Sequence, residues 1–263
     1  MIPRISLSLW TTLTLIFLLG PLVIIVGGSF TEAPHVTFPP EGFTLKWYAQ
    51  LMEREDFLES FIDSMVLAVA ATAAATILGT IAALALAREN FKGREAFRAF
   101  LMSPLILPTV VTGVALFQFI RLLEIPSNML GLIIGHTLIT LPYVIRTVGA
   151  ALVGLDKSLA EAAEVLGAKP ARILFQVVMP AIAPAILVSV IFAFIVSFDQ
   201  VTISIFLTGP DVMTLPIRIY TYIEFAIDPM IAAVSTLLIL FAYLLVVGLE
   251  RAFGLDKVFG KKG

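Results

Sequence analysis

One acidic residue, Asp199, lies inside a long apolar run of this chain. A charge in such a run is costly unless it faces water or a partner. Its polar and aromatic neighbours are Ser197, Phe198, Gln200 and Thr202. A carboxylate beside hydrogen-bonding groups and an aromatic face suits an ammonium or guanidinium group. These residues are therefore candidates for contact with a cationic solute. The alternatives are a structural role at a helix end and an ion pair with Arg146 or a second subunit.

Other reactive residue types do not assemble into a catalytic set. Cysteine is absent and there are two histidines, which excludes thiolate chemistry and Cys-based metal sites. Glu161 and Glu164 are explained as a helix cap and a solvated face, and a lone His136 in an apolar run favours a hydrogen-bonded packing role. The segment Gly254–Lys261 departs from a phosphate loop in spacing and lacks Ser or Thr after its last lysine, so we interpret it as a cytoplasmic anchor. We expect no catalysis, metal or cofactor.

The composition indicates a membrane protein. Hydrophobic residues make up 59% of the chain and charged residues 14%, whereas soluble domains have about 45–50% and about 25%. A net charge of −2 without a basic block argues against nucleic acid as a partner. The chain is therefore expected to span the lipid bilayer as one all-α domain covering 1–263.

Six apolar runs have the roughly 20 residues that a helix needs to cross a bilayer. They are Leu9–Val26, Met65–Ala87, Met102–Ile120, Met129–Val153, Ala183–Phe206 and Ile231–Leu249. The first is too long for a signal-peptide core and lacks a clear cleavage site, so we expect a retained anchor. Small residues dominate Met65–Ala87, which predicts a helix packed among its neighbours. We predict a five-helix core at about 60–250.

Basic residues define the orientation, because they concentrate on the cytoplasmic side. With the N-terminus inside, the outer segments hold only Lys46, Arg54, Arg121 and Arg218, and Arg146 lies near the inner end of the fourth run. The remaining Lys and Arg residues fall in the inner segments. Both termini and the loop at about 155–180 are therefore predicted to be cytoplasmic.

The first outer loop, about 28–63, is acidic and contains an aromatic cluster at Phe43–Tyr48. That cluster and the following Leu51–Phe61 segment favour an amphipathic helix at the membrane interface, where Trp and Tyr are enriched. Two interpretations stay open for this loop: a solvated acidic surface, and a docking surface for an external protein.

The inner loop at about 155–180 contains residues typical of helix starts and helix ends. Ser158 and Glu161 have the spacing of a capping box, which predicts a helix start. Gly167 suits the left-handed residue that ends many helices, and Pro170 suits the first turn of the next helix. We predict two short helices joined at Gly167.

The first of these helices has an apolar stripe at helical spacing, formed by Leu159, Ala162, Ala163 and Leu166. Such a stripe can seat in a groove of another protein. A surface hairpin without a partner is the alternative. A DNA-binding helix-turn-helix is disfavoured, because the second helix lacks the basic character of a recognition helix.

A family resemblance lies in the same loop. Glu161-Ala162-Ala163 is followed after three residues by Gly167 and after nine more by Val177-Val178-Met179-Pro180. This arrangement resembles the signature loop of permease subunits of bacterial ABC importers, in which Ile and Leu are usual where Val177 and Met179 stand. The likeness covers about twenty residues by motif and the whole chain by topology.

A closer likeness is to the spermidine/putrescine importer permeases, carried by Phe192–Asp199, Phe206–Pro210, Leu215–Tyr220 and Gly42–Tyr48. Relatives of that branch often have a second acidic residue after the Asp, where this chain has Gln200. The resemblance therefore implies a polyamine or a related small cationic or amino-acid-like solute. A non-polyamine solute such as an opine or an amino acid stays open.

The resemblance also implies a fold and partners. The fold would be that of a type I importer permease with about six spans, in the bacterial cytoplasmic membrane. A dimer of cytoplasmic ATP-binding subunits would receive the coupling residues Ser158, Glu161, Ala162, Ala163, Glu164, Gly167 and Pro170. A second homologous permease and an external solute-binding protein would complete the importer, and Tyr220 joins the candidate solute contacts. An ion-coupled secondary transporter is the less favoured class, because it would carry several intramembrane ionisable residues.

Overall fold

The computed structural model describes residues 4–88, 91–125, 128–226 and 228–253. These residues form helices and loops, with a single bridge between Gly209 and Val212 and no further β-structure in the described ranges. The helices are α1 Arg4–Gly28, α2 Lys46–Met52, α3 Glu55–Arg88, α4 Arg94–Met102, α5 Thr109–Leu122, α6 Asn128–Gly154, α7 Lys157–Val165, α8 Pro170–Ile173, α9 Met179–Phe198, α10 Thr202–Leu207, α11 Leu215–Phe225 and α12 Pro229–Phe253. The Gly254–Lys261 segment lies outside the described residues.

Five helical segments are long and apolar enough to cross a membrane, in agreement with five of the six predicted runs. They are Ser8–Gly28, Glu55–Ala87, Asn128–Gly154, Pro170–Phe198 and Pro229–Gly248. The third predicted run, Met102–Ile120, corresponds to a broken helix, which counts as a sixth span if the bent pair crosses as one: the chain bends by 104° between Arg94–Leu105 and Thr109–Leu122. Pro104 and Pro108 flank this bend, and proline removes a helical hydrogen bond and disfavours helix in the residue before it.

The predicted fifth run, Ala183–Phe206, is wrong at both ends. The helical segment begins earlier, at Pro170, and α9 stops at Phe198. Gln200 and Val201 interrupt the helix before α10 begins at Thr202. Apolar residues continue across this break, so hydropathy alone does not reveal it.

The chain forms two compact units, one made of residues 1–58 and 219–263 and the other of residues 59–218. In the second unit, α6 packs along α9, and small residues of α3 pack against α6 in a shared core. A Cβ added at Gly79 would lie 2.7 Å from Cβ of Val144. Ala68, Ala71 and Ala75 are fully buried, which confirms the prediction that this helix packs among its neighbours.

A second core in the same unit holds the short helix α10 against α5 and α6. Leu132, Ile203 and Leu207 are buried in it. A Cβ at Gly135 would lie 2.6 Å from a methyl carbon of Leu207, so glycine there permits α10 to approach α6. This packing holds the segment that follows Asp199 in place.

In the first unit, the outer loop folds around Trp47. Its indole Nε1 donates to the carbonyl of Thr31 at 2.8 Å, and Phe30 stacks on Phe43 with ring centroids 5.1 Å apart. Trp47 is buried in this loop, and the interfacial position of its helix stays a prediction. The helix is shorter than expected, because α2 ends at Met52 before α3 begins at Glu55.

Candidate functional site

The helix α7 starts two residues earlier than the capping box predicted. Asp156 is the N-cap, and its Oδ1 accepts the Ser158 backbone N–H at 2.9 Å. This hydrogen bond holds the pKa of the Asp156 carboxyl below its usual value. Asp156 is the better cap because a carboxylate there also interacts favourably with the positive end of the helix dipole. The Ser158 capping role is therefore wrong.

The end of α7 is a Schellman motif. The Gly167 N–H donates to the Glu164 carbonyl at 2.8 Å, and the Ala168 N–H donates to the Ala163 carbonyl at 3.0 Å. Gly167 has φ +81°, while a Cβ at this position would meet no atom within 4 Å. Glycine is needed here for its backbone conformation, as predicted, and not for space.

The second helix of the loop is not a separate short element. It begins at Pro170, as predicted, but continues through a π turn at Leu174–Val178 into α9. Pro180 cannot donate a backbone hydrogen bond, and its ring crowds the carbonyl four residues before it. A π turn accommodates an extra residue at such a place. The prediction of two short helices joined at Gly167 is therefore wrong in the length of the second one.

The α7 surface is apolar and open. Leu159 is 50% exposed, and Val165 and Leu166 are each 87% exposed. In the predicted stripe, Ala162 is also exposed and only Ala163 is half-buried. Val165 was missed, although it follows Ala162 at the i+3 spacing of the same face.

Two clefts flank this helix. Glu161 and Glu164 line one of about 410 Å³ together with Pro170. Ala163 and Gly167 line another of about 240 Å³. All seven predicted coupling residues, from Ser158 to Pro170, thus lie on or beside one exposed helical hairpin.

Asp199 is the C-cap of α9, and its backbone N–H donates to the Ile195 carbonyl at 3.1 Å. Its side chain is exposed, and within the described ranges it forms no ion pair with Arg146. A carboxylate at a helix C-terminus adds to the negative end of the dipole, which is unfavourable for the helix. Helix stability therefore does not account for this acid, whereas a local excess of negative potential attracts a cation.

The prediction that Ser197 contacts the solute is wrong, because its side chain is buried against His136. The His136 Nδ1 lies 2.9 Å from the Ser197 Oγ, and the Nε2 lies 2.8 Å from the Ser204 Oγ. Ser204 donates to the Gln200 carbonyl at 2.6 Å, so its oxygen accepts from the His136 Nε2–H. In the tautomer with its proton on Nε2, the His136 Nδ1 accepts from the Ser197 hydroxyl. The expected packing role of His136 is confirmed: it links α6, α9 and α10.

The other candidates occupy the turn around Asp199. Phe198 is half-buried, lies edge-on to Phe61 at 6.1 Å and stacks with Phe194 at 5.9 Å. Gln200 and Thr202 are half-buried and begin the connection to α10. Phe61 was missed by the sequence reasoning, since nothing in its local pattern pairs it with a residue so distant in the chain. Tyr220 lies on α11 in the other unit and is exposed.

Comparisons with known proteins agree with the motif in the α7 loop. A family model described as "Binding-protein-dependent transport system inner membrane component" matches residues 75–254. The chain is 30% identical over 263 residues to the spermidine/putrescine transport system permease protein PotC of Escherichia coli (strain K12), covering 100% of this chain and 99% of PotC. It is 33% identical over 230 residues to the putrescine transport system permease protein PotI of the same strain, covering 85% of this chain and 82% of PotI.

A solved structure gives the same fold. The chain matches a bacterial ABC transporter involved in the import of the acidic polysaccharide alginate, with a TM-score of 0.72, 16% identity and 95% of each chain covered. This likeness concerns the fold, which is that of an ABC importer permease. From its apolar helices, its α7 loop and the matched residues 75–254, this multi-pass membrane protein belongs to the family of binding-protein-dependent transport system inner membrane components.

Proposed function

We propose that this chain is the membrane-spanning subunit of an ATP-driven importer for polyamines or closely related small cations. It forms half of the translocation pathway and hydrolyses no ATP itself. A dimer of cytoplasmic ATP-binding subunits supplies the energy, a second homologous permease completes the pathway, and an external solute-binding protein delivers the solute. The acidic outer loop is the proposed face for that delivery, and the complex resides in the bacterial cytoplasmic membrane.

The observation that carries this proposal is the helical continuity between the α7 loop and Asp199. The segment Pro170–Phe198 has 29 residues, a length of about 43 Å at about 1.5 Å per residue. Its inner end adjoins the exposed α7 hairpin, and its outer end is capped by Asp199. Movement imposed on α7 by closure of the ATPase subunits therefore reaches the candidate solute site through one helical segment, as a rigid-body transition.

A polyamine is the solute class that the site supports best. The exposed Asp199 carboxylate attracts an ammonium group, and the edge of the site carries the Phe198 and Phe61 rings. The relatives PotC and PotI are named for spermidine and putrescine transport. Gln200 adds an uncharged hydrogen-bonding group, so the Asp199 carboxylate supplies the negative charge that binds the solute in this subunit.

Uptake measurements test the solute site. Asp199→Asn is expected to lower uptake of labelled putrescine or spermidine roughly ten- to a hundredfold, because a charge-assisted hydrogen bond contributes about 1.5–3 kcal/mol. The assembled importer is assayed in proteoliposomes with ATP inside, and complex assembly is followed by copurification with the ATPase subunit.

Asp211→Asn is the matched control, since Asp211 is also exposed and lies in the loop beyond α10. It should leave uptake unchanged. Unaltered transport kinetics in Asp199→Asn would rule out the solute contact. Uptake that proceeds without ATP would instead overturn the importer assignment and favour an ion-coupled transporter.

Gly167→Ala tests the hairpin geometry. A side chain in the left-handed region costs roughly 1–2 kcal/mol, so we expect the Schellman turn to loosen and ATP-dependent uptake to fall severalfold. Gly167→Asn should retain more activity, because Asn tolerates this conformation. Gly154→Ala is the control, since a Cβ there meets no atom within 4 Å and the backbone is helical. Equal uptake by the Ala variants at 154 and 167 would contradict the role of Gly167.

A further inference from the structure

A cavity of about 460 Å³ lies between the inner ends of α3 and α6 and the helix α4. Its walls are mostly apolar or small, and they include Leu86, Ile145 and Val153. The two charged residues among its described lining are Arg98 and Arg146, and no carboxylate is among them. The cavity thus combines two guanidinium groups with a surface suited to hydrocarbon.

Arg146 is exposed and lies on the inner half of α6. Within the described ranges, no carboxylate lies within ion-pair distance of its guanidinium. It precedes the end of α6 by eight residues, about 12 Å at about 1.5 Å per residue. At that depth the charge of an arginine costs free energy unless the guanidinium reaches the headgroup region or a partner.

Arg98 approaches the cavity from α4. It also lies 3.5 Å from Glu95 in an exposed pair, and such pairs contribute little stability. The loop charges place this end of the unit on the cytoplasmic side. Phe97 and Phe100 on α4 are exposed together with Arg98, and the exposed Lys92 lies two residues before the helix. Aromatic and basic residues together on a short amphipathic helix are typical of an element lying in the membrane interface.

We propose that this cavity binds the phosphate headgroup of an anionic phospholipid of the inner leaflet, with Arg98 and Arg146 as its ligands. The acyl chains would lie along the apolar wall at Ile145 and Val153. Basic pockets between membrane helices on the cytoplasmic side bind anionic lipid headgroups in this manner. The site lies on span ends and α4, and it shares Ala87 with the cleft beside α7, whereas neither arginine lines that cleft.

The test compares phosphatidylglycerol with phosphatidylcholine of the same acyl chains. The delipidated importer complex is titrated with each lipid, and bound lipid is counted by native mass spectrometry. We expect the wild-type complex to retain phosphatidylglycerol preferentially, and Arg98→Gln with Arg146→Gln to weaken that retention roughly tenfold or more. Arg121→Gln, which removes an arginine on the outer side, should have no effect.

Three results would overturn the proposal. The first is unchanged phosphatidylglycerol retention in the double variant. The second is loss of the second permease subunit from the double variant with lipid retention intact, which would assign the arginines to a subunit interface. The third is thermal stabilisation of the complex by inorganic phosphate alone equal to that by phosphatidylglycerol, which would assign a free anion. If the double Gln variant fails to fold, Arg98→Gln alone must weaken retention, and Arg146→Lys must preserve it.

Discussion

Replacing Leu159 and Leu166 by aspartate is expected to abolish binding of the ATPase subunit and, with it, ATP-dependent uptake. Leu159 on α7 is 50% exposed and Leu166, the C-cap of α7, is 87% exposed, so a docked ATPase subunit would bury both side chains. Burying a leucine contributes about 1.5–3 kcal/mol, and losing two amounts to about 4 kcal/mol, roughly a thousandfold in the dissociation constant. The added carboxylates would also be desolvated without a partner.

Copurification of the ATPase subunit and uptake in proteoliposomes measure this effect. The permease itself should fold normally, because exposed substitutions usually change stability by about 0.5 kcal/mol or less. Leu159→Met with Leu166→Met keeps the apolar surface and should retain the complex. Normal copurification of the aspartate variant would show that the ATPase subunit binds elsewhere.

His136→Ala is expected to destabilise the second unit more than any other single change discussed above. The ring is 0% exposed, and emptying such a site costs about 2–5 kcal/mol. Two hydrogen bonds to Ser197 and Ser204 are lost as well, each contributing about 0.6 kcal/mol on average between membrane helices. The expected total is about 3–6 kcal/mol, and helices α6, α9 and α10 lose their common link.

Thermal unfolding of the purified complex measures this loss, and Thr137→Ala is the matched control. The Thr137 hydroxyl is buried and has no hydrogen-bond partner among the described residues, so its removal should be neutral or slightly stabilising. Ser204→Ala in both backgrounds completes a double-mutant cycle, which isolates the His136–Ser204 interaction. A His136→Ala protein as stable as Thr137→Ala would refute the structural role.

Local signals predicted the α7 hairpin well, since the left-handed conformation of Gly167 and the helix start at Pro170 depend on few neighbouring residues. The cap was the exception. Ser158 and Asp156 are both good caps, and their order along the chain does not decide between them. The structure selects Asp156, because the helix begins at Lys157 and the carboxylate reaches the Ser158 N–H.

The solute residues were harder to predict. Ser197 and Phe198 are adjacent in sequence, yet Ser197 bonds to His136 while Phe198 meets Phe61. A position along an apolar run says nothing about which face of the helix is buried when nearly every residue is apolar. Contacts from α3, α6 and α10 decide which neighbour of Asp199 stays available.

The sequence by itself determined the membrane class, the family and the turn of the exposed hairpin between Gly167 and Pro170, because each rests on composition or on short-range backbone chemistry. Only the tertiary structure decided that the fifth apolar run breaks after Phe198, that Pro170–Phe198 is one segment reaching Asp199, and that Arg98 and Arg146 line one cavity. Those features depend on contacts between side chains that are far apart in the chain. Helices that are apolar on every face show no hydrophobic periodicity in the sequence, so the sequence does not predict which faces pack together.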